Sequence, residues 1–342
     1  MVAFAGAPIP MGDGFTHSST GSSVLTSTRS SALNWWRWRP AWRFRAPAWT
    51  SSLAFHLFLF AATVLTTLSV GAQIALNYSR RLPAFNLELS SALIRNLWHH
   101  PASLLLGLPF SFTLLGILLT HEMGHYLACR YYGLNASYPY FIPAPTLIGT
   151  LGAFIKIRSP IFTRKMLFEV AVAGPIAGFV LAAPALAWAV LHSHVGSAAE
   201  LSGTIVCGKP LALTLLTSLL RPGINPARLA LSPVGCAAWV GLFATALNLL
   251  PMSQLDGGHI LYAVIGKNHR LLSRIFWLAL LPLGYFCWLG WLMWAGIIGL
   301  IGIGHPPVVF PEEKLSRWHQ TLAAVALVMF VLCFMPTPFT VR

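Results

Sequence analysis

The segment LLTHEMGHYLAC, residues 118–129, carries two histidines four positions apart, with a glutamate directly after the first. Residues at this spacing lie on one face of an α-helix, so His121 and His125 can offer imidazole nitrogens to one metal ion. Zinc binds such nitrogens at about 2.0–2.1 Å. Glu122 lies about a quarter-turn away, where it can take a proton from metal-activated water without ligating the metal. The pattern predicts a hydrolytic zinc site.

A catalytic zinc site needs a third protein ligand and an open position. Acidic residues are scarce, because the chain has only 8 Asp and Glu among 342 residues. Asp256, in ALNLLPMSQLDGGHI (246–260), is the best candidate. Pro251 ends the preceding helix, and Gly257 and Gly258 let the backbone turn the carboxylate inward. The alternative is an aspartate that only caps the helix beginning near Gly258.

Residues near these motifs admit more than one interpretation. Asn248 could hydrogen-bond a substrate backbone or a developing oxyanion, or it could be only a local backbone partner at a helix end. His259 is expected in a loop or behind the ligands, since three ligands are already supplied. Gly174, Pro175 and Gly178 are expected to permit close helix packing.

The composition around the motifs is that of a membrane protein. The chain is 56% hydrophobic and 9% charged, against about 25% charged residues in soluble domains. We therefore expect an all-α polytopic membrane protein with about six transmembrane helices. Six windows without Asp, Glu, Lys or Arg are long enough to span: 46–79, 96–121, 170–199, 229–255, 275–311 and 318–341. The first four helices are predicted at about 52–76, 103–127, 167–191 and 230–250, and residues 275–304 could form one long helix or a broken pair.

A seventh uncharged window, residues 131–155, is not expected to span. Pro139, Pro143 and Pro145 interrupt any helix there. Its later part, TLIGTLGAFIKI, is typical of a strand or hairpin. Non-helical backbone at membrane depth persists only where it is buried in protein or lines a wet cavity. We therefore predict a short β-hairpin or re-entrant segment beside the active site.

Two regions are predicted. Residues 1–50 form an arm, Ser/Thr-rich and disordered at first and ending in WWRWRPAWRFRAPAW (35–49), whose Trp and Arg favour the lipid headgroup layer. Residues 51–342 form one membrane-embedded domain, with a catalytic core at about 100–265. The net charge of +14 is explained by basic residues between the apolar windows, so the bilayer is the expected partner and nucleic acid is not.

The distribution of basic residues predicts the orientation. Five arginines of the arm place the N-terminus in the cytoplasm by the positive-inside rule. The second and fourth helices then run in the same direction, so His121, His125 and Asp256 meet at the cytoplasmic side. For a prokaryotic chain we expect the inner membrane, with both N-terminus and active site toward the cytoplasm.

The two motifs together resemble those of a known family. HEMGH, with NLLPMSQLDGGH in a later apolar window, is similar to the paired signatures of the site-2 proteases, the intramembrane zinc metalloproteases of peptidase family M50. The resemblance covers about residues 100–265 and includes AVAGPIAGF (171–179). YPYFIPAP (138–145), followed by GTLGAFIKI (149–157), is similar to the cyanobacterial and plastid branch of that family.

This resemblance implies a three-helix catalytic core that holds one zinc ion. His121, His125 and Asp256 would be its ligands, Glu122 the base, and Asn248 would lie beside the active site. The substrates would be transmembrane proteins, cut within or near a membrane segment in regulated intramembrane proteolysis. Many relatives carry a PDZ domain between the last two core helices, and the short segment available here leaves no room for one.

Two other functions fit parts of the sequence. A membrane zinc protease of the prenyl-protein type needs a glutamate as third ligand, and Glu312 and Glu313 are the only downstream candidates. They follow a Pro-rich stretch predicted on the opposite side from the histidines, which disfavours this function. The other alternative is a membrane scaffold or metal-handling protein that retains the zinc site without proteolysis.

Overall fold

The structure, a computed structural model, describes residues 2–4, 52–85, 101–201, 205–310 and 314–341. It is mostly helical, with three small sheets. The helices are α1 (Leu53–Ser79), α2 (Leu108–Tyr131, preceded by a 3-10 turn at Pro101–Gly107), α3 (Arg164–His192), α4 (Ala198–Leu201), α5 (Leu211–Leu220), α6 (Pro233–Asn248), α7 (Asp256–Ile265), α8 (His269–Phe286), α9 (Gly290–Ile301) and α10 (Arg317–Cys333). The strands are β1 (Val2–Phe4), β2 (Tyr140–Pro143), β3 (Thr150–Ile157), β4 (His194–Val195), β5 (Ile205–Cys207), β6 (Leu229–Ala230) and β7 (Phe339–Val341).

Three helices among the described residues are long and apolar enough to cross a membrane. They are Leu53–Ser79, Ala102–Tyr131 and Arg164–His192. The prediction of six spans is therefore confirmed only in part. Helix α6 has 16 residues and α10 has 17. At 1.5 Å per residue, these helices reach about 24–26 Å, short of a hydrocarbon layer of about 30 Å.

The region beyond residue 275 forms a broken pair of helices. Helix α8 ends at Phe286, and α9 begins at Gly290 and has only 12 residues. The side chain of Trp277 in α8 donates its indole N–H to the carbonyl of Ala295 in α9, at 2.8 Å. The long uncharged window therefore folds back on itself, which the sequence left open.

Helices α2 and α3 pack antiparallel at close range. Gly116 faces Leu181 near one end of the pair, and Gly124 faces Ala173 near the other. A methyl group on Gly124 would lie 2.5 Å from the carbonyl oxygen of Ala173, so only glycine permits this approach. The small residues bring the backbones together, as expected for packing between membrane helices.

Helices α2 and α6 run parallel. Ile117 packs on Gly241, and one turn further along, His121 lies beside Asn248. The C-terminal ends of both helices are therefore at the same level, which is the relative orientation that the sequence predicted. Helices α2, α3 and α6 pack together, and α7, which carries Asp256, follows α6 after a short turn.

The predicted β-hairpin is present beside these helices. Strands β2 and β3 are antiparallel, with Tyr140 opposite Phe154 and an irregularity before Pro143. The turn docks on α1, where the hydroxyl of Thr66 donates to the carbonyl of Gly149 at 2.6 Å. Gly149 has φ of +84°, a conformation that favours glycine.

Only residues 2–4 of the predicted N-terminal arm are described, and they form β1. This strand pairs in parallel with Ile155–Ile157, on the edge of β3 opposite to β2. The Trp/Arg segment 35–49 lies outside the described residues, and so do Glu312 and Glu313. Strand β1 depends on a pairing over 150 residues of chain, which composition alone does not reveal.

Candidate metal centre

Helix α2 places both histidines of the first motif on one buried face. His121 and His125 are 4% and 0% exposed. Their Nε2 atoms lie 3.2 Å apart, as the four-residue spacing predicts. The two imidazoles thus present their outer nitrogens to one point inside the helix bundle.

Asp256 reaches the same point from the start of α7. The chain leaves α6 at Asn248 and makes a tight turn, in which Ser253 has φ of +57°. A methyl group on Gly257 would lie 2.1 Å from the carbonyl oxygen of Leu249, so this turn requires the Gly-Gly pair. Asp256 is the first helical residue and not the N-cap, which is Leu255. The capping alternative is therefore wrong.

The carboxylate of Asp256 completes a triangle with the histidines. Its Oδ2 lies 3.2 Å from His121 Nε2 and 3.3 Å from His125 Nε2. A tetrahedral zinc with ligands at about 2.0–2.1 Å separates its ligand atoms by about 3.3 Å. Among the described residues, these three form the one such group of possible metal ligands. The donor set and its spacing therefore fit a single zinc ion.

The burial of this carboxylate supports the same interpretation. Asp256 is 0% exposed, and its Oδ1 has no hydrogen-bond partner in the described part of the chain. A buried carboxylate is costly unless a cation or several donors compensate it. The lone pairs of two imidazoles cannot compensate the negative charge of Asp256, so the site requires a cation or protons.

Helix α3 fixes the orientation of one ligand. The Nδ1–H of His125 donates to the carbonyl of Val170 at 2.7 Å, which leaves the lone pair on Nε2 facing Asp256. This arrangement selects the tautomer that a metal needs. Sequence reasoning did not assign this contact, because it joins residues 45 positions apart.

Gly174 and Gly178 give the histidines their space. A methyl group on Gly174 would lie 2.1 Å from His125 Nε2, and one on Gly178 would lie 3.1 Å from His121 Cβ. The sequence suggested helix packing as the role of these glycines. They also clear room for the two imidazoles, and AVAGPIAGF was the signal that could have indicated it.

The other residues of the two motifs surround the triangle. Glu122 is 2% exposed and therefore buried in the same region of α2. The side-chain amide of Asn248 lies 3.2 Å from His121 Nε2. His259 is buried on α7 and not in a loop, and its Nδ1 lies 2.6 Å from Nε2 of His305. Among the described residues, the group of possible metal ligands does not include His259.

These features define a buried site that fits one metal ion, built from three helices, with the carboxyl group of Glu122 buried nearby. Residues 109–290 match the family model of peptidase family M50. The match covers more than half of the chain, so this protein belongs to peptidase family M50. No solved structure matches the chain.

Curated relatives agree with this family. "Probable zinc metalloprotease EGY1, chloroplastic" from Arabidopsis thaliana is 32% identical over 244 residues, covering 67% of this chain and 43% of that protein. The protein of the same name from Oryza sativa subsp. japonica is 31% identical, covering 67% and 41%. "Probable zinc metalloprotease EGY2, chloroplastic" from Oryza sativa subsp. indica is 30% identical, covering 65% and 41%. The chain therefore spans less than half the length of these relatives.

These comparisons correct one expectation. The membership of peptidase family M50 and the three long apolar helices indicate an integral membrane protein. The names of the relatives place those proteins in chloroplasts, so the expected bacterial inner membrane is not borne out. The reason is that the distribution of basic residues indicates how a protein is oriented in a bilayer, but does not indicate which membrane of the cell contains it.

Proposed function

We propose that this protein is an intramembrane zinc metalloendopeptidase. It hydrolyses a peptide bond in or near a transmembrane segment of other membrane proteins, and so acts in regulated intramembrane proteolysis. The observation that carries the proposal is the triangle of His121, His125 and Asp256, with Glu122 buried beside it. Membership of peptidase family M50 supports it independently.

The residues divide the chemistry among them. His121, His125 and Asp256 would hold the zinc ion, which supplies Lewis acidity for the scissile carbonyl and for water. Glu122 takes the proton of the attacking water and then delivers it to the leaving amine. Asn248, whose amide lies at the edge of the ligand triangle, donates to the developing oxyanion or to the substrate backbone.

A substrate helix must unwind before its carbonyls become accessible, and an extended segment can then add to a sheet edge. The hairpin of β2 and β3 lies against α1 and beside α2. Strand β1 covers the outer edge of β3 only at Ile155–Ile157, so in the described structure Thr150–Phe154 has a strand partner only on the β2 side. We infer that an unwound substrate pairs along this edge.

The test is a comparison of wild type with Glu122→Gln in membranes. Glutamine preserves the size of the side chain and removes its ability to carry the proton. The expected result is full zinc content, measured by inductively coupled plasma mass spectrometry, with accumulation of uncleaved membrane proteins in quantitative proteomics. Cleavage at the wild-type rate in the variant would refute Glu122 as the base. Bound zinc with no difference between the two membrane proteomes would favour the metal-handling or scaffold function.

A further inference from the structure

A polar cavity of about 310 Å³ lies where α7 is followed by α8. Its polar lining consists of Lys267, His269, Arg270, His305 and Tyr262. None of these residues belongs to the metal centre, and the proposed function uses none of them. The cavity begins on the helix that carries Asp256, but at the opposite end of that helix.

His269 is the feature of this cavity that points to a ligand. Its side chain is buried at 1% exposure, and neither ring nitrogen has a hydrogen-bond partner among the described residues. Burial and the charge of Arg270 lower the pKa of His269 to about 4, so its ring is neutral at pH 7 and carries one N–H donor. Buried donors without partners are rare in proteins, because nothing then replaces their hydration.

Both ring nitrogens of the neighbouring His305 are already hydrogen-bonded. The Nδ1–H of His305 donates to the carbonyl of Pro306 at 2.5 Å, so its Nε2 accepts from His259 Nδ1–H at 2.6 Å. The His305 ring stacks on Tyr262, with ring centroids 4.3 Å apart. These rings form a fixed wall and not a second metal site. Of the two histidines that line the cavity, His269 is therefore the one whose nitrogens are available to a ligand.

The charge of the lining selects an anion. Lys267 and Arg270 are the charged residues of the lining, both are cationic, and no carboxylate is among them. Helix α8 begins at His269, and the side chain of its N-cap, Asn268, makes no capping hydrogen bond. A 3-10 turn, Gly266–Asn268, leads directly into α8, and the backbone N–H of His269 donates to the carbonyl of Gly266, so the side chains and not the helix start supply the donors. A cation would meet repulsion here.

We propose that this cavity binds a phosphoryl group through Lys267, Arg270 and the N–H of His269. An ammonium, a guanidinium and a buried imidazole line the same cavity, and this set of donors suits an anion with several oxygen atoms. The group comes either from a soluble phosphate compound or from the headgroup of an anionic phospholipid. Both sources present the same chemistry to the cavity.

Binding is tested on the full chain purified in dodecyl maltoside, a detergent without phosphate. One arm titrates inorganic phosphate against chloride at constant ionic strength, and the other titrates short-chain phosphatidylglycerol. Native mass spectrometry and the shift in unfolding temperature report binding in both arms. Neither readout depends on proteolysis, so failure here leaves the proposed protease function untouched.

The variants separate the cavity from general surface charge. Lys267→Gln with Arg270→Gln, and separately His269→Phe, should weaken binding by about 10–100-fold, because each removes hydrogen bonds to an ionised group. Phenylalanine retains the buried ring, so the fold persists. Arg274→Gln, an exposed arginine one turn further along α8, is the matched control and should bind like wild type. Saturable binding of phosphate identifies a soluble source, and binding of the lipid alone identifies a headgroup. Binding of neither probe, or equal loss in the Arg274→Gln control, overturns the proposal.

Discussion

Gly174 lies directly against Nε2 of His125, the ring nitrogen that faces Asp256. A methyl group at position 174 would fall 2.1 Å from Nε2 and 2.5 Å from the two carbons that flank it. The imidazole of His125 cannot move away without losing the hydrogen bond from its Nδ1 to the carbonyl of Val170. Val170 lies one turn before Gly174 on α3. Helix α3 therefore both holds this imidazole and leaves it just enough space.

Replacing Gly174 with alanine should remove zinc from the protein. The added methyl group displaces Nε2 from the position at which it meets Asp256, so the ligand triangle opens. We expect a loss of most of the bound zinc, measured by inductively coupled plasma mass spectrometry on purified protein. Gly296→Ala is the control, since a methyl group there meets nothing within 4 Å. Full zinc content in Gly174→Ala would show that the helices yield, and would contradict this account.

Replacing Asp256 with asparagine should weaken zinc binding while preserving the shape of the side chain. The substitution removes the only carboxylate of the group and leaves two imidazoles. We expect the zinc affinity, measured by competition with a chelator, to fall by at least about 10–100-fold, the loss typical of even outer-shell substitutions. Glu200→Gln, at a buried carboxylate in another part of the fold, should leave the affinity unchanged. An unchanged affinity in Asp256→Asn would exclude Asp256 as a ligand.

The group of His121, His125 and Asp256 could be predicted from the sequence because each of the two motifs is local, and the predicted direction of their helices brings the motifs together. His121 and His125 share a helical face, and the residues around Asp256 include a proline and two glycines that force a turn. The hairpin could also be predicted, since prolines exclude a helix from 139–145. The number of membrane spans could not be predicted, because the length of an uncharged window does not say how many of its residues are helical. The window 229–255 contains the 16-residue helix α6 and then the turn that delivers Asp256.

The remaining contacts are non-local, and no local pattern reports them. Val170 and His125 are 45 positions apart, and the partners His259 and His305 are 46 apart. Which neighbour a glycine faces is equally invisible in one sequence. From the sequence, Gly174 is interpreted as a residue for helix packing. The structure shows that it lies against the imidazole of His125.

Arg164 links the first turn of α3 to the end of α7. Its Nε donates to the carbonyl of Ala263 at 2.7 Å, and its Nη2 donates to that of Val264 at 2.8 Å. These carbonyls lie in the last turn of the helix that carries Asp256, so a cation there also complements the helix dipole. Arg164→Gln should destabilise the protein by about 1–3 kcal/mol, the usual range for hydrogen bonds from a charged donor.

Thermal unfolding in detergent tests the Arg164 link. Lys165→Gln makes the same change of charge on the adjacent, exposed residue and should leave the unfolding temperature near that of wild type. If both variants lower the unfolding temperature equally, net charge and not the link to α7 is responsible.

His269 and His305, the buried histidines that line the polar cavity between α7 and α8, should make stability depend on pH. Burial lowers the pKa of His269 to about 4 and that of His305 to about 3, against about 6.5 in the unfolded chain. Between these values the unfolded chain binds a proton that the folded protein does not. Their contribution to stability is therefore complete above pH 6.5 and is lost as the pH falls toward 4 and 3. At pH 5, His269 alone should cost about 2 kcal/mol relative to pH 8.

His269→Phe isolates this contribution, because phenylalanine occupies the same buried position and cannot be protonated. Unfolding temperatures measured from pH 8 to pH 5 in a phosphate-free buffer should fall for wild type and fall less steeply for His269→Phe. The variant retains the part that belongs to His305, so its curve should still slope downward. His192→Gln, at an exposed histidine, should follow the wild-type curve. Parallel curves for wild type and His269→Phe would mean that His269 takes up its proton equally in the folded and unfolded chain, and that its burial does not suppress its charge.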